Sequence, residues 1–148
     1  MPPPPIRAGA FVLTNFPFGP PHRRDVPGAT PHIAYCLGFR SEVAPLQLML
    51  AYTSSVQRRW GTERVPLGVI EFDVVAAAVL KQRPFHIDLR CLARVPISTA
   101  WFPRLDRVDQ GVVAWADRAL QTRITGVLSE LARRSPGHIE MRGIGSEG

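Results

Sequence analysis

The sequence predicts an α+β domain that is mainly β: a small curled sheet or barrel of antiparallel strands with a short helix and a long C-terminal helix. Three observations lead there. The first two-thirds of the chain is a series of short apolar runs broken by proline and glycine. Residues 85–95, "FHIDLRCLARV", alternate apolar with polar, the period of a strand buried on one face. From about Asp109 to Arg134 the apolar residues instead recur at steps of three and four, the period of an amphipathic helix. The alternation of strand and helix that a parallel sheet requires is absent.

Taken in order, "AFVLTNF" (10–16) reads as the first strand and stops at "PFGPPHRRDVPGATP" (17–31), a long proline-rich loop carrying Arg23 and Arg24. "HIAYCLGF" (32–39) is the second strand. "LQLMLAYT" (46–53) is the third, a nearly continuous apolar run that suits a buried position. A polar loop extends from Ser54 to about Pro66, and "LGVIEF" (67–72) forms a short strand. "DVVAAAVLK" (73–81) predicts a short helix: Asp73 is a natural N-cap, the alanines favour the helix, and Arg83-Pro84 ends it.

In the alternating segment, Ile87, Leu89, Cys91, Ala93 and Val95 are expected to share one face, with His86, Asp88, Arg90 and Arg94 mostly on the other. In the final helix, Val112, Val113, Ala116, Leu120, Ile124, Val127, Leu128 and Leu131 form the apolar stripe, and Arg133 and Arg134 suit its negative C-terminal end. The 148 residues are read as one domain: 1–8 an extended tail, 9–104 the barrel, 105–135 the C-terminal helix and 136–148 a frayed tail.

Composition narrows the function classes. Apolar residues make up 45 % and charged residues 20 %, which describes a globular chain. The apolar runs are too short to span a bilayer. The start, "MPPPPIRAG", lacks the basic-then-apolar pattern of a signal peptide, so a cytoplasmic location is expected. The formal net charge is +6, and Lys81 is the sole lysine. Guanidinium groups grip two phosphate oxygens at once, so an arginine-rich surface suits nucleic acid, although GC-rich coding yields the same bias. Cys36 and Cys91 lack the paired spacing of a zinc site or a disulfide framework, and both read as small core residues.

The chain contains no glycine-rich phosphate loop, no His-Glu-x-x-His and no Gly-x-Ser-x-Gly. Its unusual feature is "YTSSVQRRW", at the end of the third strand. Thr53, Ser54 and Ser55 can donate to phosphate oxygens, Arg58 and Arg59 can neutralise them, and Trp60 can stack on a base. The same residues also suit a Ser/Thr turn with Trp60 covering the barrel edge. "GPPHRRDVPG" fits an RNA-gripping loop and equally a solvated turn. Asp106 and Asp109 are best explained as capping groups at the start of the long helix.

In sequence order, these pieces resemble the MazF/PemK family of toxins from toxin–antitoxin systems. The resemblance runs over roughly residues 9–104, from "GAFVLTNFPF" through a loop to a Pro-led second strand and a strand ending in Thr-Ser, then through "LKQRPFHIDLRCLARVP". It implies an SH3-like barrel, a homodimer, and metal-independent cleavage of single-stranded RNA by attack of the ribose 2′-OH, with no cofactor. It also implies a cognate antitoxin with an acidic segment as partner. The family's phosphate-holding Thr carries over to Thr53, with Ser54 beside it. The family's Arg before the second-strand proline does not: Thr30 precedes Pro31 here. His32 as proton carrier and Arg23 or Arg24 as the charge-stabilising group are the expected replacements, with a barrel that binds RNA or protein without cleavage as the alternative.

Overall fold

A computed structural model of the chain describes residues 6–17, 25–40, 47–55 and 65–143. Within these, the strands are β1 (Ala10–Thr14), β2 (His32–Arg40), β3 (Gln47–Ser54), β4 (Val69–Phe72), β5 (Phe85–Pro96), β6 (Val112–Trp115) and β7 (Glu140–Gly143). The helices are α1 (Val74–Val79) and α2 (Arg118–Arg134), with a short 3-10 turn at Pro136–His138. All seven strands join one sheet in the order β4-β5-β3-β2-β1-β6, with β7 beside β5. Every pairing is antiparallel except β5 with β7. The protein is therefore mainly β, a curled antiparallel sheet with two helices, as the alternation and the breakers predict.

The spine of this sheet is β5. Along one edge it pairs with β3 from His86 to Pro96. Along the other it pairs first with β4, through Phe85–Asp88, and then with β7, through Cys91–Arg94. Its ladder with β3 is interrupted: Tyr52 faces Asp88, but Ala51 faces Leu92. Three residues, Leu89 to Cys91, are inserted opposite none. Side chains alternate between faces, so an odd insertion exchanges the faces downstream. Ile87, Leu89 and Leu92 consequently enter one core, while Ala93 and Val95 enter the other. The single face expected for Ile87, Leu89, Cys91, Ala93 and Val95 is thus divided, and Cys91 is only partly buried.

The two faces of the sheet carry two cores. On one, Phe11, Tyr35, Ala51, Ile70, Phe72, Phe85, Ile87 and Leu89 pack with Ile124 and Leu131 of α2. Phe72 and Phe85 stack with centroids 4.5 Å apart, and Phe85 meets the edge of Phe11 at 5.8 Å. On the other, Val12, Phe16, Ala34, Cys36, Leu48, Leu50 and Val95 are covered by Trp101 and Phe102, from the segment after β5. Ile6 is fully buried in this second core, so the expected extended tail is anchored before residue 9.

Both helix starts are capped by aspartate, as a short polar side chain at that position can do. Asp73 Oδ1 accepts from Ala76 N at 2.9 Å, and Asp117 Oδ1 accepts from Leu120 N at 2.8 Å. The C-terminal helix is shorter than its apolar period suggests, and the cap belongs to Asp117, not to Asp106 or Asp109. Asp109 instead accepts from Gly111 N at 2.9 Å and holds a turn in which Gln110 (φ 54°) and Gly111 (φ 86°) are left-handed. After that turn Val112 to Trp115 run extended beside β1. Branched Val112 and Val113 fit a strand better than a helix, and pairing with β1 satisfies their backbone groups.

Residues 136–143 are also structured where fraying is expected. Parallel pairing with β5 orders β7, and Arg142 reaches across the fold to donate to the Pro17 carbonyl at 2.7 Å. Gly143 ends the strand at φ 82°, where a Cβ would lie 2.1 Å from the Arg94 carbonyl oxygen. α2 thus leads from an outer strand on the β1 side to β7 on the β5 side, across the first core.

Leu131 is fully buried at the point where α2 meets this sheet. Leu131→Ala is expected to lower stability by about 2–5 kcal/mol through lost burial and the cavity left behind. Urea unfolding followed by circular dichroism measures this, and a loss below 1 kcal/mol would mean that α2 is not anchored there.

Candidate functional site

The third strand emerges from the sheet with three hydroxyls, and alternation of side chains decides their roles. Thr53 pairs with Ile87 and lies on the side of the first core, 6 % exposed. Its Oγ1 donates to the Ile33 carbonyl at 2.5 Å, clasping β3 to β2. The proton that the family resemblance assigns to a phosphate is therefore committed to the protein in this conformation. Ser54 lies on the opposite face and is half-buried, and Ser55 is exposed. Of the two adjacent hydroxyls, Ser54 is the one on the outward face and Thr53 the one bound to the protein.

Ser54 sits in a row that runs across the strands. It pairs directly with His86 on β5, and His86 pairs directly with Glu71 on β4. In the other direction, the β2–β3 register sets Ala34 opposite Tyr52. Carried two residues further, it sets His32 opposite Ser54, and His32 pairs with Thr14 on β1. Residues directly opposite one another project from the same face. The row is thus Thr14, His32, Ser54, His86 and Glu71, on one side of five strands.

Cover over this row is uneven. Thr14 is fully buried, and its hydroxyl donates to the Trp101 carbonyl at 2.8 Å. Asn15 Nδ2 donates to the Ala100 carbonyl at 3.0 Å, and the Asn15 N–H to the Trp101 carbonyl at 2.8 Å. These bonds hold the 98–102 turn over β1; further along the row His32 and Glu71 are exposed, and Ser54 and His86 are half-buried. Tyr52, one step along β3 on the same face, packs on Phe16 with ring centroids 5.7 Å apart.

Beside the row lies an ion pair. Arg90 Nε donates to Asp88 Oδ1 at 2.9 Å and Nη2 to Oδ2 at 2.8 Å, a two-pronged contact. The Asp88 carboxylate holds the Arg90 guanidinium above its ordinary pKa, so its charge is permanent but compensated. Asp88 and Arg90, with Cys91, His138 and Glu140, line an open cleft of about 400 Å³ between β5 and β7. Among the described residues no group of three His, Cys, Asp or Glu side chains could hold a metal ion. Likewise no described helix is long and apolar enough to cross a membrane.

The β2–β3 register, extended two residues, sets His32 opposite Ser54, while Thr53 faces the other way. Arg23, Arg24, Arg58, Arg59 and Trp60 lie outside the described residues. Thr30, where the resembling family carries Arg, is exposed. Sequence reasoning missed His86 and Glu71 as partners of the site. His86 does fall on the polar face of the "FHIDLRCLARV" alternation, but only the strand order shows what stands next to it. Comparison of the chain with family models, curated proteins and solved structures finds no match.

Two outcomes test this geometry. Thr53→Val keeps the side-chain volume and leaves the Ile33 carbonyl without its hydroxyl partner, so a loss of about 1 kcal/mol is expected in chemical denaturation. Burial pushes the thiols of Cys36 and Cys91 from the ordinary value of 9.0 to about 12, because the charged thiolate is poorly solvated inside the protein. The unfolded chain therefore releases these protons first. Their contribution to stability is full below about pH 9 and is lost as the pH rises toward 12. At pH 8.5 native protein should resist iodoacetamide, whereas denatured protein should be alkylated at both cysteines.

Proposed function

We propose that the protein is an endoribonuclease of the toxin type, cleaving single-stranded RNA without metal through attack of a ribose 2′-OH on the adjacent phosphorus. The observation that supports this reading is the strand register, which, extended from Ala34–Tyr52, sets the exposed His32 opposite the half-buried Ser54 at the ends of β2 and β3 in a basic domain. The reaction needs a group that accepts the 2′-OH proton and donors aimed at the phosphate, where negative charge grows in the transition state. A neutral imidazole at His32 can accept that proton. The Ser54 hydroxyl can donate to a non-bridging oxygen.

On this reading the curled sheet is an SH3-like barrel that presents the ends of β2 and β3 to RNA. Positive charge comes from the segments that flank the site in sequence: Arg23 and Arg24 precede β2, and Arg58 and Arg59 follow Ser55 by three and four residues. Thr53 contributes by fixing the strand end, through its bond to Ile33. A second reading, RNA or protein binding without cleavage, is favoured by one observation: the position before Pro31 holds Thr30, which brings no guanidinium. In the toxin reading the partner that restrains the enzyme is an antitoxin with an acidic segment.

Purified protein is expected to cut single-stranded RNA in the presence of EDTA, leaving 2′,3′-cyclic phosphate and 5′-hydroxyl ends. Ser54→Ala should slow cleavage on the order of 10²-fold while leaving the circular dichroism spectrum unchanged. RNA that is bound in a strongly salt-dependent way and never cut would favour the binding module. RNA that is neither bound nor cut would remove both readings. Induced expression with and without the neighbouring open reading frame tests the toxin role, which predicts growth arrest that the neighbour relieves.

A further inference from the structure

Transphosphorylation has two proton transfers, and His32 provides for one. The 2′-oxygen loses a proton as it attacks phosphorus, and the 5′-oxygen gains one as its bond to phosphorus breaks. We infer that His86 is the second proton-transfer group, the general acid for the leaving 5′-oxygen, with Glu71 as its positioning residue. This inference rests on the ribonuclease reading and assigns the half of the chemistry which that reading leaves open.

The placement carries the assignment. Adjacent strands are about 4.8 Å apart, so His32 and His86, separated by β3, are roughly 9.5 Å apart at their backbones and on the same face. Ser54 lies between them. Two hydrogen bonds of about 2.8 Å and the width of one phosphate group fill such a gap. A phosphate seated over Ser54 would meet an imidazole on each side, as in-line displacement requires, because the attacking 2′-oxygen and the leaving 5′-oxygen lie on opposite sides of phosphorus.

The row is asymmetric, which separates the roles. His86 lies directly opposite Glu71 across the β4–β5 ladder, so the two side chains project from the same face. The carboxylate can accept one ring N–H and compensate an imidazolium, leaving the other nitrogen to point toward Ser54. His32 faces the buried Thr14, which is neutral and already bonded to Trp101. The charged and titratable groups that face His86 among the described residues are Glu71 from β4, His32 from β2, Tyr52 from β3, and Asp88 on its own strand. Asp88 is paired with Arg90 through two hydrogen bonds, so among these groups Glu71 is the carboxylate set directly opposite His86.

The step balances without a co-reactant. His32 takes the 2′-OH proton, the O2′–P bond forms, the P–O5′ bond breaks, and the His86 imidazolium gives its proton to O5′. The products are a 2′,3′-cyclic phosphate and a 5′-hydroxyl, and proton exchange with water restores both rings.

The test compares ordinary RNA with RNA carrying sulfur at one bridging 5′ position, whose thiolate leaves without being protonated. His86→Ala should slow cleavage of ordinary RNA by about 10²–10⁴-fold and cleave the sulfur-bridged substrate close to the wild-type rate. His32→Ala should be slow on both. Glu71→Gln should move the alkaline limb of the pH–rate profile to lower pH, a change that a purely structural role does not produce. Equal losses on both substrates, or no loss on either, for His86→Ala in an active enzyme overturn the assignment and leave the ribonuclease reading standing. A wild-type protein inert toward RNA in EDTA removes both. Rapid cleavage of the sulfur-bridged RNA by His86→Ala also shows that the variant folds.

Discussion

The three-residue insertion in β5 governs the arrangement of everything around it. A strand that kept strict alternation over residues 85–96 would bury one set of side chains on one side. The break between Asp88 and Leu92 exchanges the faces, so one strand supplies both cores. It also divides the outer edge of β5, with β4 before the insertion and β7 after it. A local excess of residues on one strand bends and twists the ladder, which suits a sheet that curls. The first core then needs a cover, and α2 supplies it with Ile124 and Leu131.

The same alternation explains how the site is built. Thr53 and Ser54 are neighbours in sequence and opposites in role, because successive residues of a strand face opposite ways. Thr53 turns inward and ties β3 to β2 by a bond to a backbone carbonyl. Ser54 turns outward into a row with two histidines and a glutamate. A buried clasp directly behind an exposed hydroxyl keeps the strand end in place, and a site on a paired strand is held more firmly than one on a loop. The 98–102 turn then closes the β1 end of the row.

Several arginines are already engaged by carboxylates of the protein itself. Arg90 is engaged by Asp88 through two hydrogen bonds, and Arg133 by Glu130 at 2.6 Å, the latter an exposed pair that contributes little to stability. In the ribonuclease reading the phosphate must therefore draw on the arginines that flank β2 and β3 in sequence. This is a different solution from an arginine rigidly placed before the second-strand proline. On that reading, more of the catalytic demand falls on proton transfer and on Ser54.

The sequence by itself determined five of the seven strands and both helices. The breakers set the ends of the strands, the cap at Asp73 and the alanines set α1, and the spacing of Leu120, Ile124, Val127, Leu128 and Leu131 set α2. These are local effects of backbone preference and side-chain period, so they can be read from neighbours along the chain. Tertiary structure decided the rest. Val112 to Trp115 became a strand because β1 offered an edge to pair with, and residues 140–143 became one because β5 did. Cys91 sits at the margin of the second core, away from Ile87 and Leu89, because an odd insertion turned the pleat over. His86 and Glu71 joined His32 and Ser54 because strand order, which no single segment encodes, set residues from four separate strands side by side.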